Sequence, residues 1–360
     1  MNLAKKEYRI IALYLPQYHP IPENDKWWGT GFTEWTNVGK AKKLFPGHYQ
    51  PRVPADLGYY DLRVPETRKA QADLARQYGI EGFCYWHYWF GDGKELLERP
   101  FNDMLSSGEP DFPFCVAWAN ESWRGFYHGV GEREVLIEQR YPSKQDHINH
   151  FYRLLQAFQD KRYIKKNGKP VFIVYKPEGL PNAAAFICLW RRLAEENGLP
   201  GLHLIGHTYD SSSVDRILEM GFDSVETVNI FGYTSYLSIL DRAFSKLAHG
   251  LFSFPRIISY KRASSFFISE QDYREEVIPT IVPNWDHSPR TGRNGIVFHN
   301  SNPVLFSEHL LQVKDCLDKK IDPKPFVFIK SWNEWAEGNY LEPDLRFGRQ
   351  YLEAIKNIFG

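Results

Sequence analysis

Two glutamates, Glu334 and Glu337, stand three residues apart in the stretch Phe326–Pro343, FVFIKSWNEWAEGNYLEP, with Trp332, Asn333 and Trp335 around them. Two carboxyl groups so close along a chain can act on neighbouring oxygens of one substrate, one taking a proton and the other giving one. Indole faces match the apolar face of a sugar ring, and carboxylates match its hydroxyls and its glycosidic oxygen. The combination points to carbohydrate chemistry. The plain alternative is a solvated turn with tryptophan packed beneath it. The aromatic and acidic density speaks against that, because loops are usually built from Gly, Pro, Asn, Asp and Ser.

Similar side chains recur wherever an apolar run stops: Gln17 and His19, His87 and Tyr88, Asn120 and Glu121, Lys176, His207 and Tyr209, Trp285 and Asp286. Glu121 is the second candidate for a catalytic carboxylate, since Asn-Glu after a strand resembles the acid/base pair of many barrel glycosidases. A structural glutamate tying two strand ends together explains it as well. Either way it is expected in the site with Trp285 and Asp286, binding sugar hydroxyls. Trp35, Trp86 and Trp118 are individually more at home in a core, yet some of the aromatics must line a cleft. His19, His87 and His207 fall on different strand ends without HxxxH or HxH spacing. They are expected to hydrogen-bond rather than ligate. No metal and no cofactor are expected.

Side chains this far apart in sequence converge only if the elements carrying them share one rim. Short, continuously apolar runs are expected as buried strands at Tyr8–Leu15, Ile80–Trp86, Phe112–Ala119, Pro170–Tyr175, Leu202–Gly206, Asp223–Val228, Val277–Pro283 and Phe326–Ile329. Helical spacing is expected over Pro65–Tyr78, Lys94–Ser106, His147–Phe158, Ala183–Glu196, Val214–Met220 and Phe347–Ile358. About eight strands alternating with helices make an α/β chain of the (β/α)8 TIM-barrel class. It is expected as one domain over residues 1–360, with elaborated loops. Active sites of that fold lie at the C-terminal ends of the strands, where the polar and aromatic residues sit. The segment Tyr233–Tyr273 is the hardest to read. Its SFPRIISYKRASSFF stretch is expected as an elaborated crossover on the barrel exterior, with a basic membrane-surface helix as the alternative.

Composition narrows the function classes. Lys and Arg (44) balance Asp and Glu (44), which removes the basic footprint of a nucleic-acid binder. The four cysteines, Cys84, Cys115, Cys188 and Cys316, form no CxxC pair, so neither a disulfide framework nor a zinc site is indicated. There is no GxGxxG after the first strand and no GKS or GKT. The N-terminal apolar run is short and ends at Pro16. With no signal-peptide pattern and no run of membrane-spanning length, a cytoplasmic protein is expected, with peripheral membrane association left open.

Four stretches carry a family resemblance: IALYLPQYHPIPENDKWWGTGFTEWTNV, GIEGFCYWHYWF, FCVAWANESW and SWNEWAEGNYLEP. Together they resemble the WbsX-type proteins of bacterial O-antigen and capsule gene clusters, often labelled glycosyltransferases. That group is related to glycoside hydrolase family 99, the endo-acting α-mannosidases and mannanases. The first resemblance covers nearly the whole chain; the second rests mainly on NEWxEG. It implies a retaining reaction through a 1,2-anhydro sugar, in which Glu334 takes the proton of the 2-hydroxyl and Glu337 protonates the leaving oxygen. Family 99 usually has His between the two glutamates where this chain has Ala336, so its substrate contacts do not all carry over. Ordinary glycosidases place two carboxylates across the scissile bond, about 5–5.5 or 6.5–9.5 Å apart. Two on one loop more naturally reach the 2-hydroxyl and the glycosidic oxygen of the same sugar. The expected activity is therefore glycoside hydrolysis of an α-mannoside-like linkage in a bacterial surface polysaccharide. A glycosyltransferase or transglycosylase and a non-catalytic glycan-binding barrel are the alternatives.

Overall fold

The computed structural model describes residues 6–125, 134–236, 247 and 249–360. Eight parallel strands close on themselves: β1 (Arg9–Tyr14), β2 (Gly82–Trp89), β3 (Phe114–Trp118), β4 (Lys169–Val174), β5 (His203–Thr208), β6 (Ser224–Thr227), β7 (Val277–Ile281) and β8 (Phe326–Ile329). Each pairs with its sequence neighbour, and β1 pairs with β8 through Arg9↔Phe326 to Ala12↔Ile329. Closure leaves no open edge. A helix follows every strand: α1 (Pro65–Gln77), α2 (Arg99–Ser107), α3 (Lys144–Gln159), α4 (Ala183–Glu196), α5 (Val214–Glu219), α6 (Tyr260–Ser264), α7 (Pro303–Lys319) and α8 (Gln350–Phe359). This is a (β/α)8 barrel.

The local sequence explains each element. β3, β7 and β8 are buried along their whole length, as strands sandwiched between barrel interior and helices must be. Ser143 caps α3 by accepting from the Asp146 N–H, and Asn302 caps α7 by accepting from Val304 and Leu305. α7 buries Phe306, His309, Leu310, Val313 and Leu317 at helical spacing.

Two stretches differ from the sequence expectation, and in a third the alternative is ruled out. β2 runs on to Trp89 and pairs back with Glu95–Leu96, so the following helix starts at Arg99 rather than Lys94. α7 was unassigned in the sequence reading. The basic SFPRIISYKR stretch is a strand, Arg256–Ser259, followed by the short α6, and not a surface helix. That strand pairs in parallel with Ile296–His299, and Tyr260, Phe267, Trp285 and Phe298 form a second core outside the barrel. Residues 237–246 and 248 of the same segment lie outside the described residues. Among the described residues no helix is long and apolar enough to cross a membrane.

Candidate active site

A cavity of about 500 Å³ opens at the C-terminal ends of the strands. Every strand contributes to its wall: Leu15 and Gln17 after β1, Trp86 and Tyr88 in β2, Glu121 after β3, and Tyr175 and Lys176 after β4. Tyr209 and Phe231 follow β5 and β6, Trp285, His287 and Arg290 follow β7, and Lys330, Glu334 and Glu337 follow β8. Aromatic walls with a few convergent charged groups are what a sugar site needs.

The β8 loop is fixed from below. The Asn333 side chain accepts from Leu15 N–H at 2.8 Å and donates to Leu15 C=O at 3.0 Å, acting as a strand partner for the end of β1. Trp332 N–H donates to Leu13 C=O, and its indole is fully buried against Phe83. Trp335 stacks on Tyr340 with centroids 3.8 Å apart and donates to Glu342 at 2.6 Å. With these anchors turned into the core, Glu334 and Glu337 are left facing the cavity. Gly338 completes the turn in left-handed backbone at φ +60°, where a Cβ would lie 2.6 Å from Asp286 Cβ. Gly338→Ala should therefore lower stability by roughly 2–4 kcal/mol, through combined backbone strain and overpacking. Chemical denaturation of the variant checks this, and a loss below about 0.5 kcal/mol, as at an ordinary surface site, would contradict it.

Arg290 links the acidic groups. Its guanidinium donates to Glu34 at 2.8 Å, to Glu334 at 3.1 Å, and to Glu337 at close range. Lys330 Nζ lies 3.9 Å from Glu337. Burial pushes the His287 imidazole down to about 4, so it adds no charge near neutrality. Three carboxyl groups thus face two cations. Burial first, and then the neighbouring Glu337 charge, push Glu334 up to about 7. Burial alone would raise Glu337 too, but Arg290 and then Lys330 outweigh it and hold its carboxyl below the usual range.

The Glu334 shift has a measurable sign. Its folded value lies above the unfolded value of about 4.3, so the native state binds more protons between those limits and loses stability as pH rises through them. Glu334→Gln lacks that group. The melting temperature of the variant minus that of the wild type should grow from pH 4.5 to pH 7.5. A constant offset across that range would reject the shift.

The family model described as Glycosyltransferase WbsX matches residues 10–355. The chain belongs to the WbsX family. It is 35% identical over 350 residues to the uncharacterized protein WxcX of Xanthomonas campestris pv. campestris (strain B100), and the match covers 96% of this chain and 49% of that protein. The chain thus spans about half the length of the curated relatives it matches. Among solved structures it is similar to a glycoside hydrolase-like protein (15% identity, 98% of this chain and 94% of that one, TM-score 0.61). It is also similar to the GH99 endo-alpha-mannosidase from Bacteroides thetaiotaomicron (15% identity, 98% and 95%, TM-score 0.59). These likenesses bear on the fold: the WbsX chain shares the GH99 barrel.

Of the residues singled out in the WbsX sequence, Gln17, Trp86, Tyr88, Glu121, Lys176, Tyr209, Trp285, Glu334 and Glu337 line the cavity. The others lie elsewhere. Strand alternation sends His87 outward, between Trp86 and Tyr88, onto His150 of α3 at 2.9 Å. Its cross-strand partner Trp118 likewise turns out, donating to Trp89 C=O. His207 is fully buried against Glu226 at 2.9 Å. His19 is buried near Asp61 and Arg63. Trp35 packs between Tyr18, Tyr60 and Trp335. Asn120 ties strand ends together, accepting from Lys176 N–H and donating to Lys176 C=O. Asp286 is a buried hub that accepts from His48, Gln50 and Ser288. Trp332, Asn333 and Trp335 hold the loop from behind, as described above. Glu121 pairs with Lys176 at the rim.

Lining residues outside the sequence expectations include Arg290, Lys330, His287 and Tyr175. Lys330 immediately follows β8 and Tyr175 immediately follows β4, so the strand-end rule alone reaches both. Arg290 had no local signal, since its partner Glu34 is 256 residues away.

Proposed function

We propose that this WbsX-family barrel is a glycan-active enzyme, a retaining glycoside hydrolase cleaving an α-mannoside-like linkage of a bacterial surface polysaccharide through a 1,2-anhydro sugar. Residues 1–360 are taken as one catalytic barrel in this proposal. The observation that carries it is the pair of glutamates facing an aromatic-walled cavity from a single loop, bridged by one guanidinium. Glu334, with its carboxyl near 7, suits the base that takes the 2-hydroxyl proton, because a base works best near the ambient pH. Glu337 is the partner at the leaving oxygen. In the free site it is ionised, so a substrate must come between it and the two cations before it can hold a proton to give. Gln17, Trp86, Tyr88, Glu121, Lys176, Tyr209 and Trp285 are proposed as sugar contacts.

One observation favours a second reading, glycosyl transfer. A carboxylate held ionised beside Arg290 and Lys330 is not required as an acid if the leaving group is a phosphate, which departs without a proton. The two cations then stabilise the departing charge.

Incubation with α-linked manno-oligosaccharides, following new reducing ends and the anomer first formed, tests the first reading. A panel of nucleotide sugars and glycosyl phosphates tests the second. Release of the retained anomer supports hydrolysis. Turnover of the activated donors alone replaces it with transfer, and no turnover on either panel rejects both.

A further inference from the structure

The backbone N–H of Lys330 donates to Ile281 C=O at 2.9 Å, so the residue still belongs to the strand ladder and its side chain starts from a fixed point. That side chain is 4% exposed. Its ammonium lies 5.9, 6.0 and 5.7 Å from the ring centroids of Trp86, Tyr209 and Trp285. Three rings stabilise the cation but take no ordinary hydrogen bond from it. Glu337 Oε2, 3.9 Å away, is beyond hydrogen-bonding range and is itself a buried acceptor with no donor. A cation and an unpartnered carboxylate oxygen thus stand beside the same cavity. Buried polar groups left this way call for an explanation, and a ligand atom supplies one. A water or hydroxyl oxygen about 2.8 Å from each would accept from Lys330 and donate to Glu337, and a glycosidic oxygen would fit there once Glu337 carries the proton it is to give.

We infer that the gap between Lys330 Nζ and Glu337 Oε2 is an oxygen subsite, and that Lys330 is a further catalytic residue donating a hydrogen bond to the leaving glycosidic oxygen. This rests on the reading of Glu337 as the group at that oxygen. As the 2-oxygen gives its proton to Glu334 and bonds to the anomeric carbon, the bond from that carbon to the glycosidic oxygen breaks and its electron pair stays on that oxygen. Lys330 stabilises the growing negative charge through a charge-assisted hydrogen bond while keeping its own proton. The proton that completes the leaving alcohol comes from Glu337.

Crystals of the wild type, free and soaked with α-linked mannobiose, test the subsite without requiring turnover. The expected result is a water in the gap of the free protein, replaced by a sugar oxygen in the soak. Lys330 moving into direct contact with Glu337, or a bound sugar that leaves the gap to water, overturns the inference while sparing the glycan reading. A cavity that takes no sugar removes both.

Kinetics add a second readout. Lys330→Met should slow cleavage of mannobiose roughly hundredfold and 2,4-dinitrophenyl α-mannoside far less, since a stabilised leaving group has little need of the donor. Lys330→Arg should restore part of the loss. Equal slowing on both substrates, with no rescue by arginine, marks a merely structural lysine and rejects the catalytic role.

Discussion

Glu334→Gln and Glu337→Gln should each reduce glycan cleavage by about a thousandfold, within the span of a positioned acid or base. The two losses should differ in character. Removing the base disables attack by the 2-hydroxyl whatever the leaving group, so Glu334→Gln should slow activated and unactivated glycosides alike. Glu337→Gln should spare substrates whose leaving group needs no proton. The double variant should be little worse than either single one, because residues that act as a unit are not additive. The pH profile supplies a further check. A base works when ionised, so kcat/KM of the wild type should climb with pH through about 7, and that limb should vanish in Glu334→Gln. Retained activity in both variants would remove this loop from the chemistry.

Arg290→Met should produce the largest loss of stability. The guanidinium is 12% exposed and pairs with Glu34, Glu334 and Glu337 together. Taking one partner from a buried ion cluster costs roughly 3–5 kcal/mol, since the charges left behind lie in a poor solvent. In the variant Glu334 loses a cation that lowers its pKa and Glu337 loses the cation that chiefly holds its pKa down, so both bind protons more readily in the folded state. Stability is then greatest at low pH and falls as pH rises. The deficit against wild type should be clearly smaller at pH 5 than at pH 8. Denaturant titrations at both values decide the matter, and a deficit that does not change with pH would mean that the cluster is not what Arg290 serves.

Much of this architecture was legible because parallel barrel strands are buried on both faces and stand out as unbroken apolar runs. Boundaries were less so. His87-Tyr88-Trp89 reads as a strand end because its residues are polar and aromatic, yet Trp86 and Tyr88 point to the cavity and His87 away from it, the alternation of a strand still in progress. α7 opens at Asn302-Pro303, a capping residue and a first-turn proline, and continues at helical spacing, so its start is legible in the sequence. The cavity is harder still. Asn120, Asn333 and Asp286 are the residue types that bind sugars, but they are also the types that satisfy backbone groups where strands meet loops. Sequence position does not separate these uses; hydrogen-bond partners do. The Arg290–Glu34 contact joins two long loops and is created only by barrel closure.

The second core separates part of the cavity wall from the barrel. Asn294, Gly295 and Ile296 form one stretch of the cavity wall, and the Ile296–His299 strand that begins there pairs with Arg256–Ser259 and carries Phe298 into the second core with Tyr260 and Phe267. Shape on that side is governed by side chains that the barrel does not need for closure. Substitutions there can therefore recut this wall while leaving the β8 glutamates and their scaffold untouched.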